Sequence, residues 1–166
     1  MQRSVSRASE WELIPDASYF DTVLKDHRLA RAEYFEAARQ VLRNSDLVFI
    51  DPDNGIEVPS TKLGASGSSK YVYWSELQAM YTDGQSMLVY QHFPRVVRER
   101  FVPFIAGRLS EELHGSTVVG FRRRTWCSSL CNNQSTPRRS RAPHRRWGGS
   151  GLGRSKFGLL QISGAT

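Results

Sequence analysis

Residues 46–57, DLVFIDPDNGIE, decide the fold. Asp46 opens a short uninterrupted apolar run, Leu47 to Ile50, of the kind that a parallel strand buried on both faces shows. The following Asp51-Pro52-Asp53-Asn54-Gly55 breaks regular structure, because Pro lacks a backbone donor, Gly accepts positive φ, and Asp and Asn bond their own backbone. A second run of the same type, SMLVY at residues 86–90, and a third, TVVGF at residues 117–121, predict two more strands.

Helical spacing lies between and before these runs. Residues 28–42 are rich in Ala, Leu, Glu and Arg, with Leu29, Phe35, Ala38 and Leu42 close to one face, and Asn44-Ser45 ends the segment. Residues 58–70, VPSTKLGASGSSK, read as a mobile Gly/Ser loop, followed by a helix over 73–81 that Asp83-Gly84 closes. Residues 94–113 read as a long amphipathic helix with Val97, Phe101, Phe104, Ile105 and Leu109 inward and a bend at Pro103. WELIP at residues 11–15 reads as a short strand. Strand and helix alternate, so the expected class is α/β: a mostly parallel sheet with right-handed crossovers and flanking helices.

The 166 residues, 39% of them hydrophobic, suffice for one domain with a core. No stretch approaches the roughly 18 consecutive apolar residues of a membrane span, and MQRSVSRASEWEL lacks the apolar middle of a secretion signal, so a cytoplasmic protein without membrane contact is expected. Cys127 and Cys131 stand in a Ser/Asn-rich run with no matching His or Cys pair, which indicates neither a disulfide framework nor a zinc site.

Charge is uneven. The formal net charge is +7, yet 10 of the 23 Lys and Arg residues and none of the 16 Asp and Glu residues follow Gly120. A basic arm of this kind suits nucleic acid, because Lys and Arg displace counterions from phosphate. The tail also carries both cysteines, Trp126 and Trp147, and much Arg, Ser and Gly, the mixture a GC-rich gene yields out of frame. Trp126 is encoded by TGG and Cys127 begins TG, so the frame displaced by two bases reads valine there. With TCN serine and TTR leucine codons it continues with apolar residues and Gln-Gln through Asn133, a buried strand. The expectation is a domain over residues 11–121 and a frameshifted or disordered basic tail over residues 122–166, with the last native strand, half of an antiparallel edge hairpin, lost near Arg124.

In an open α/β sheet, ligands bind outside the carboxyl ends of the strands. Asp51, Asp53, Asn54 and Glu57 follow the first buried strand; Gln91, His92 and Arg95 follow the second. Neighbouring strands, about 4.8 Å apart, would bring these groups to one edge. Carboxylates with an imidazole suit a divalent cation or proton transfer, and an Arg beside them suits a phosphate or carboxylate. Lys70 and Tyr71, after the Gly/Ser loop, are placed to close over a ligand. Tyr71, Tyr73, Trp74 and Tyr81 suit base stacking or, more commonly, core packing. Taken alone, Asp-Pro-Asp-Asn-Gly is a turn and a single His is structural; a carboxylate ending an apolar strand is expensive to desolvate without purpose.

DLVFIDPDNGIE, SSKYVYWSEL and GQSMLVYQHFPR together resemble an uncharacterised family of bacterial and phage-associated proteins with a DPDNG–E motif and a YQH–R motif, over about residues 28–121. More distantly, the stretch is similar to class I methyltransferases that use S-adenosylmethionine and methylate the amino group of adenine in RNA or DNA. That resemblance implies a Rossmann-like fold ending in an edge hairpin. Their Asp-Pro-Pro-Tyr motif ends a hydrophobic strand; Asp51 and Pro52 match its first two positions, whereas Asp53 and Asn54 replace Pro and the stacking aromatic. No Gly-rich cofactor turn precedes Asp51, which implies either a sheet incomplete at its start as well as at its end or a family that does not bind this cofactor.

Three functions follow. The first is a methyltransferase-like domain acting on nucleic acid or a nucleotide, in which Asp51, Asp53 and His92 carry the chemistry and Pro52, Asn54, Gly55, Glu57, Lys70, Tyr71, Gln91 and Arg95 bind substrate. The second is a hydrolase or nuclease in which Asp51, Asp53, Glu57 and His92 hold Mg²⁺ or Mn²⁺. The third is a non-catalytic module that grips nucleic acid through the basic tail.

Overall fold

The computed structural model describes residues 14–93, 97–122, 126–133 and 156–162. The elements run β1 (Ser18–Phe20), α1 (Arg28–Leu42), β2 (Leu47–Pro52), β3 (Gly55–Ile56), β4 (Tyr71–Val72), α2 (Trp74–Thr82), β5 (Ser86–His92), α3 (Arg98–Glu112), β6 (Ser116–Arg122), β7 (Trp126–Asn133) and β8 (Phe157–Ile162). Six strands form one sheet in the order β1-β8-β2-β5-β7-β6, and β3 and β4 pair separately. β1, β8, β2 and β5 are parallel, and β7 is antiparallel to both β5 and β6, so it alone runs against the rest. The fold is a Rossmann-like α/β sheet.

The connections through α1, α2 and α3 carry the chain from β1 to β2, β5 and β6, always in one direction along the sheet. Right-handed crossovers that never reverse place their helices on one face. Register agrees: Gly158, Val48, Met87, Cys131 and Val118 form one row, and their side-chain positions share a face. A Cβ at Gly158 would lie 2.8 Å from Leu42 of α1, and one at Gly120, two residues beyond Val118, 3.3 Å from Val102 of α3. The single core therefore lies under this face, where Val48, Ile50, Met87, Val89 and Leu160 meet Phe35, Leu42, Leu77, Met80, Ile105 and Leu109. Each such fully buried aliphatic side chain contributes roughly 1.5–3 kcal/mol.

α1 spans the predicted residues, but Leu29 faces solvent and Arg31 takes its place on the buried stripe with Tyr34, Phe35, Ala38 and Leu42. In α3 the buried stripe is Phe101, Ile105 and Leu109, every fourth residue; Phe104, about 100° off that stripe, is exposed, as is Val97 at the helix start. Trp11 to Leu13 of the predicted WELIP strand lie outside the described residues, and Ile14 to Asp16 form a turn that leads into β1.

The largest correction concerns the tail. In the frame given, Trp126–Asn133 completes the edge hairpin with β6, and Phe157–Ile162 lies in the sheet interior between β1 and β2. The domain does not end at residue 121. β7 buries the small residues Cys127, Ser129 and Cys131 on the helix-covered face and Ser128 on the other. β8 alternates strictly, burying Gly158, Leu160 and Ile162. Among the described residues, no helix is long and apolar enough to cross a membrane.

Candidate functional site at the carboxyl edge

β2, β8 and β5 end side by side. Asp51 stands opposite Gln161 and Pro52 opposite Ile162, and the Asp53 N–H continues the ladder to the Ile162 carbonyl at 3.1 Å. The chain then turns through exposed Asp53 and Asn54 into β3, where the Asn54 N–H donates to the Lys70 carbonyl at 2.8 Å. The small β3–β4 ladder thus brings exposed Lys70 and half-buried Tyr71 beside the Asp-Pro-Asp-Asn turn. The carboxyl edge gathers Asp51, Asp53, Asn54, Lys70, Tyr71 and His92, all of them predicted site residues. Arg95 lies outside the described residues.

Strand alternation divides this group. Pro52 and Gln91 continue the buried rows of β2 and β5 toward the helices, whereas Asp51, Tyr90 and His92 occupy the other face. His92 is exposed and stands edge-on to Tyr90, ring centroids 4.9 Å apart. Asp51 is half buried and has an interaction partner.

Three predicted binding residues have structural partners. Gln91 is buried; its Oε1 accepts the Ile56 N–H at 2.8 Å and its Nε2 donates to the His92 carbonyl at 2.8 Å. Gly55, at φ +98°, packs so closely on Gln91 that an added Cβ would overlap its amide. Glu57 caps α2, its Oε1 accepting the Trp74 N–H at 2.9 Å. The proposed metal set, Asp51, Asp53, Glu57 and His92, is likewise not assembled: among the described residues no three His, Cys, Asp or Glu side chains are grouped to hold a metal ion. Glu57 is drawn away from the other three by its cap on α2.

The segment expected to be a mobile loop is anchored at its C-terminal end. Asp26 accepts from the Gly67 N–H at 2.9 Å and the Ser69 N–H at 2.7 Å, and the Ser68 hydroxyl donates to its carbonyl at 3.2 Å. Burial raises the Asp26 carboxyl, but the hydrogen bonds from Ser69, Gly67 and Ser68 outweigh it and hold the group below its ordinary value. Arg31, 1% exposed, pairs with both oxygens of Glu76 at 2.8 Å and donates to the Ser68 and Tyr71 carbonyls at 2.9 and 3.0 Å. Glu76 in turn accepts the Tyr73 N–H at 2.9 Å, so one ion pair ties α1, the Ser68–Lys70 turn, β4 and α2 together behind the site. Burial pushes the Glu76 carboxyl up, and the Arg31 guanidinium only partly restores it. Sequence reading missed this pair. Its signals were an Arg at a core position of α1 and an acid in the first turn of α2.

A cleft of about 760 Å³ opens at the opposite, amino edge, lined by Gln78, Tyr81, Glu112, His114 and Asn133 among others. Its carboxylate is engaged, Glu112 accepting from Arg108 at 2.9 Å and Gln78 at 3.0 Å. The carboxyl edge is the better candidate, because its exposed charged side chains stand at central strand ends. No family model, no curated protein and no solved structure matches this chain.

Proposed function

We propose that this chain is a methyltransferase-like domain whose carboxyl edge binds a nucleotide or an exposed base of nucleic acid. The observation that carries the reading is the position of Asp51-Pro52 at the end of a central parallel strand, with Lys70 and Tyr71 brought alongside by the β3–β4 ladder. A carboxylate there accepts hydrogen bonds from an exocyclic amine, an exposed ammonium meets phosphate, and a half-buried phenol ring offers a stacking face.

S-adenosylmethionine is the cofactor the resemblance implies, and the described residues do not fit it. Its fold family uses a Gly-rich turn at a strand end, but the space over Gly55 is filled by Gln91, Gly64 packs on Arg28, and the Gly67 N–H is taken by Asp26. No transfer step is assigned. Among the described residues no three His, Cys, Asp or Glu side chains are grouped to hold a metal ion, which favours this reading over the hydrolase one.

Calorimetric titration with adenosine monophosphate and with a short oligodeoxyadenylate tests the proposal. Binding that falls at least about tenfold in Asp51→Asn, an isosteric change that removes the charge, supports it. Equal binding by both proteins sinks it.

A further inference from the structure

The sheet face turned away from the helices carries a continuous apolar row. Tyr19, Leu159, Phe49, Leu88, Leu130 and Val119 are register neighbours, one from every strand. None belongs to the core cluster. The first five are half buried, Val119 is 45% exposed, and Phe121 on the same face is 48% exposed. Sheets built on parallel strands are stable with both faces covered, yet the one-directional crossovers leave this face without a helix among the described residues.

Residues 134–155 contain six Arg, no acid, and only Ala142, Trp147 and Leu152 as non-proline apolar residues; residues 1–13 are interrupted throughout by Arg, Ser and Glu. Neither has the repeating apolar stripe of a core-facing helix. A second copy, by contrast, brings an identical uncharged row, and a two-fold axis through the face matches apolar to apolar without new complementarity. Six strands about 4.8 Å apart and about 20 Å long give a face of roughly 500 Å², so two copies cover about 1,000 Å², below the roughly 1,200 Å² of stable interfaces and in the range of weak ones.

We propose that this face docks on the same face of a second copy, forming a weak two-fold dimer. Asp51 and Gln161 lie in the next register row toward the carboxyl edge, so the candidate sites stand at the rim of the interface.

Sedimentation equilibrium of the full chain from about 1 to about 100 μM, without nucleotide, reads this directly. A monomer–dimer equilibrium is expected, weakened at least about tenfold by Val119→Lys and further by Leu130→Lys. If Leu130→Lys fails to fold by circular dichroism, Val119→Lys on the edge strand still decides. A monomer throughout, or a dimer that Val119→Lys leaves unchanged, overturns the proposal; a monomer whose residues 1–13 or 134–155 resist hydrogen exchange assigns the face to the chain itself.

Discussion

Arg31 is a cation with 1% of its side chain exposed, and each of its three nitrogens donates to an acceptor on another segment. Truncation leaves Glu76 buried without its counter-charge, so Arg31→Ala should cost about 3–5 kcal/mol in urea unfolding. A change below about 1 kcal/mol would show that water replaces the pair. Gly55 makes a second residue-scale test. Gly55→Ala must adopt an unfavourable positive φ and displace Gln91 from the Ile56 N–H, for an expected loss of about 2–4 kcal/mol. Burial pushes the Cys131 thiol up to about 12 and the Cys127 thiol up as well. Neither should react with an aromatic disulfide reagent at neutral pH until the chain is denatured; rapid labelling of the native protein would contradict their placement. The site residues were legible as types clustered after strands, but their division was not. One residue of register separates Gln91, locked into the helix-covered face, from His92 on the other, and only pairing sets that phase.

The Glu57–Tyr73 connection shows why elements differ in legibility. Its Gly and Ser content reads as mobility, whereas its order comes from Asp26 and Arg31, about forty positions away in sequence from their partners. The Asp26 carboxyl is held below its ordinary value, so its contribution is present above the unfolded pKa and lost as pH falls through the folded one. Hydrogen exchange at Gly67 and Ser69 should therefore stay slow down to the ordinary Asp range and accelerate below it. Asp26→Asn should show the fast exchange at neutral pH. Unchanged protection in that variant would mean that Arg31 alone holds the turn. β2 and β5 were legible because uninterrupted apolar runs admit few other readings. β7 was not: WCSSLCNN has little apolar character, and its burial comes from lying between β5 and β6.

At the scale of the molecule, the last described strand occupies an interior position, paired with β1 on one side and β2 on the other. A chain ending at residue 155 should lose cooperative unfolding, since the β1–α1 unit would be cut from the sheet; a sigmoidal urea transition in that truncation would contradict the topology. The α/β class and three strands follow from local pattern, while the place of β8 depends on contacts with residues over one hundred positions earlier, such as Tyr34 donating to the Gln161 carbonyl at 2.6 Å. The strand ends that this topology collects define the proposed binding edge. Hydrogen exchange of the full chain with and without adenosine monophosphate compares the two edges in one measurement. Slowed exchange at Asp53–Gly55 and Lys70–Tyr71 and around His92, with none around Gln78, His114 and Asn133, is the predicted result. Slowing confined to the amino-edge cleft would contradict the placement of the site.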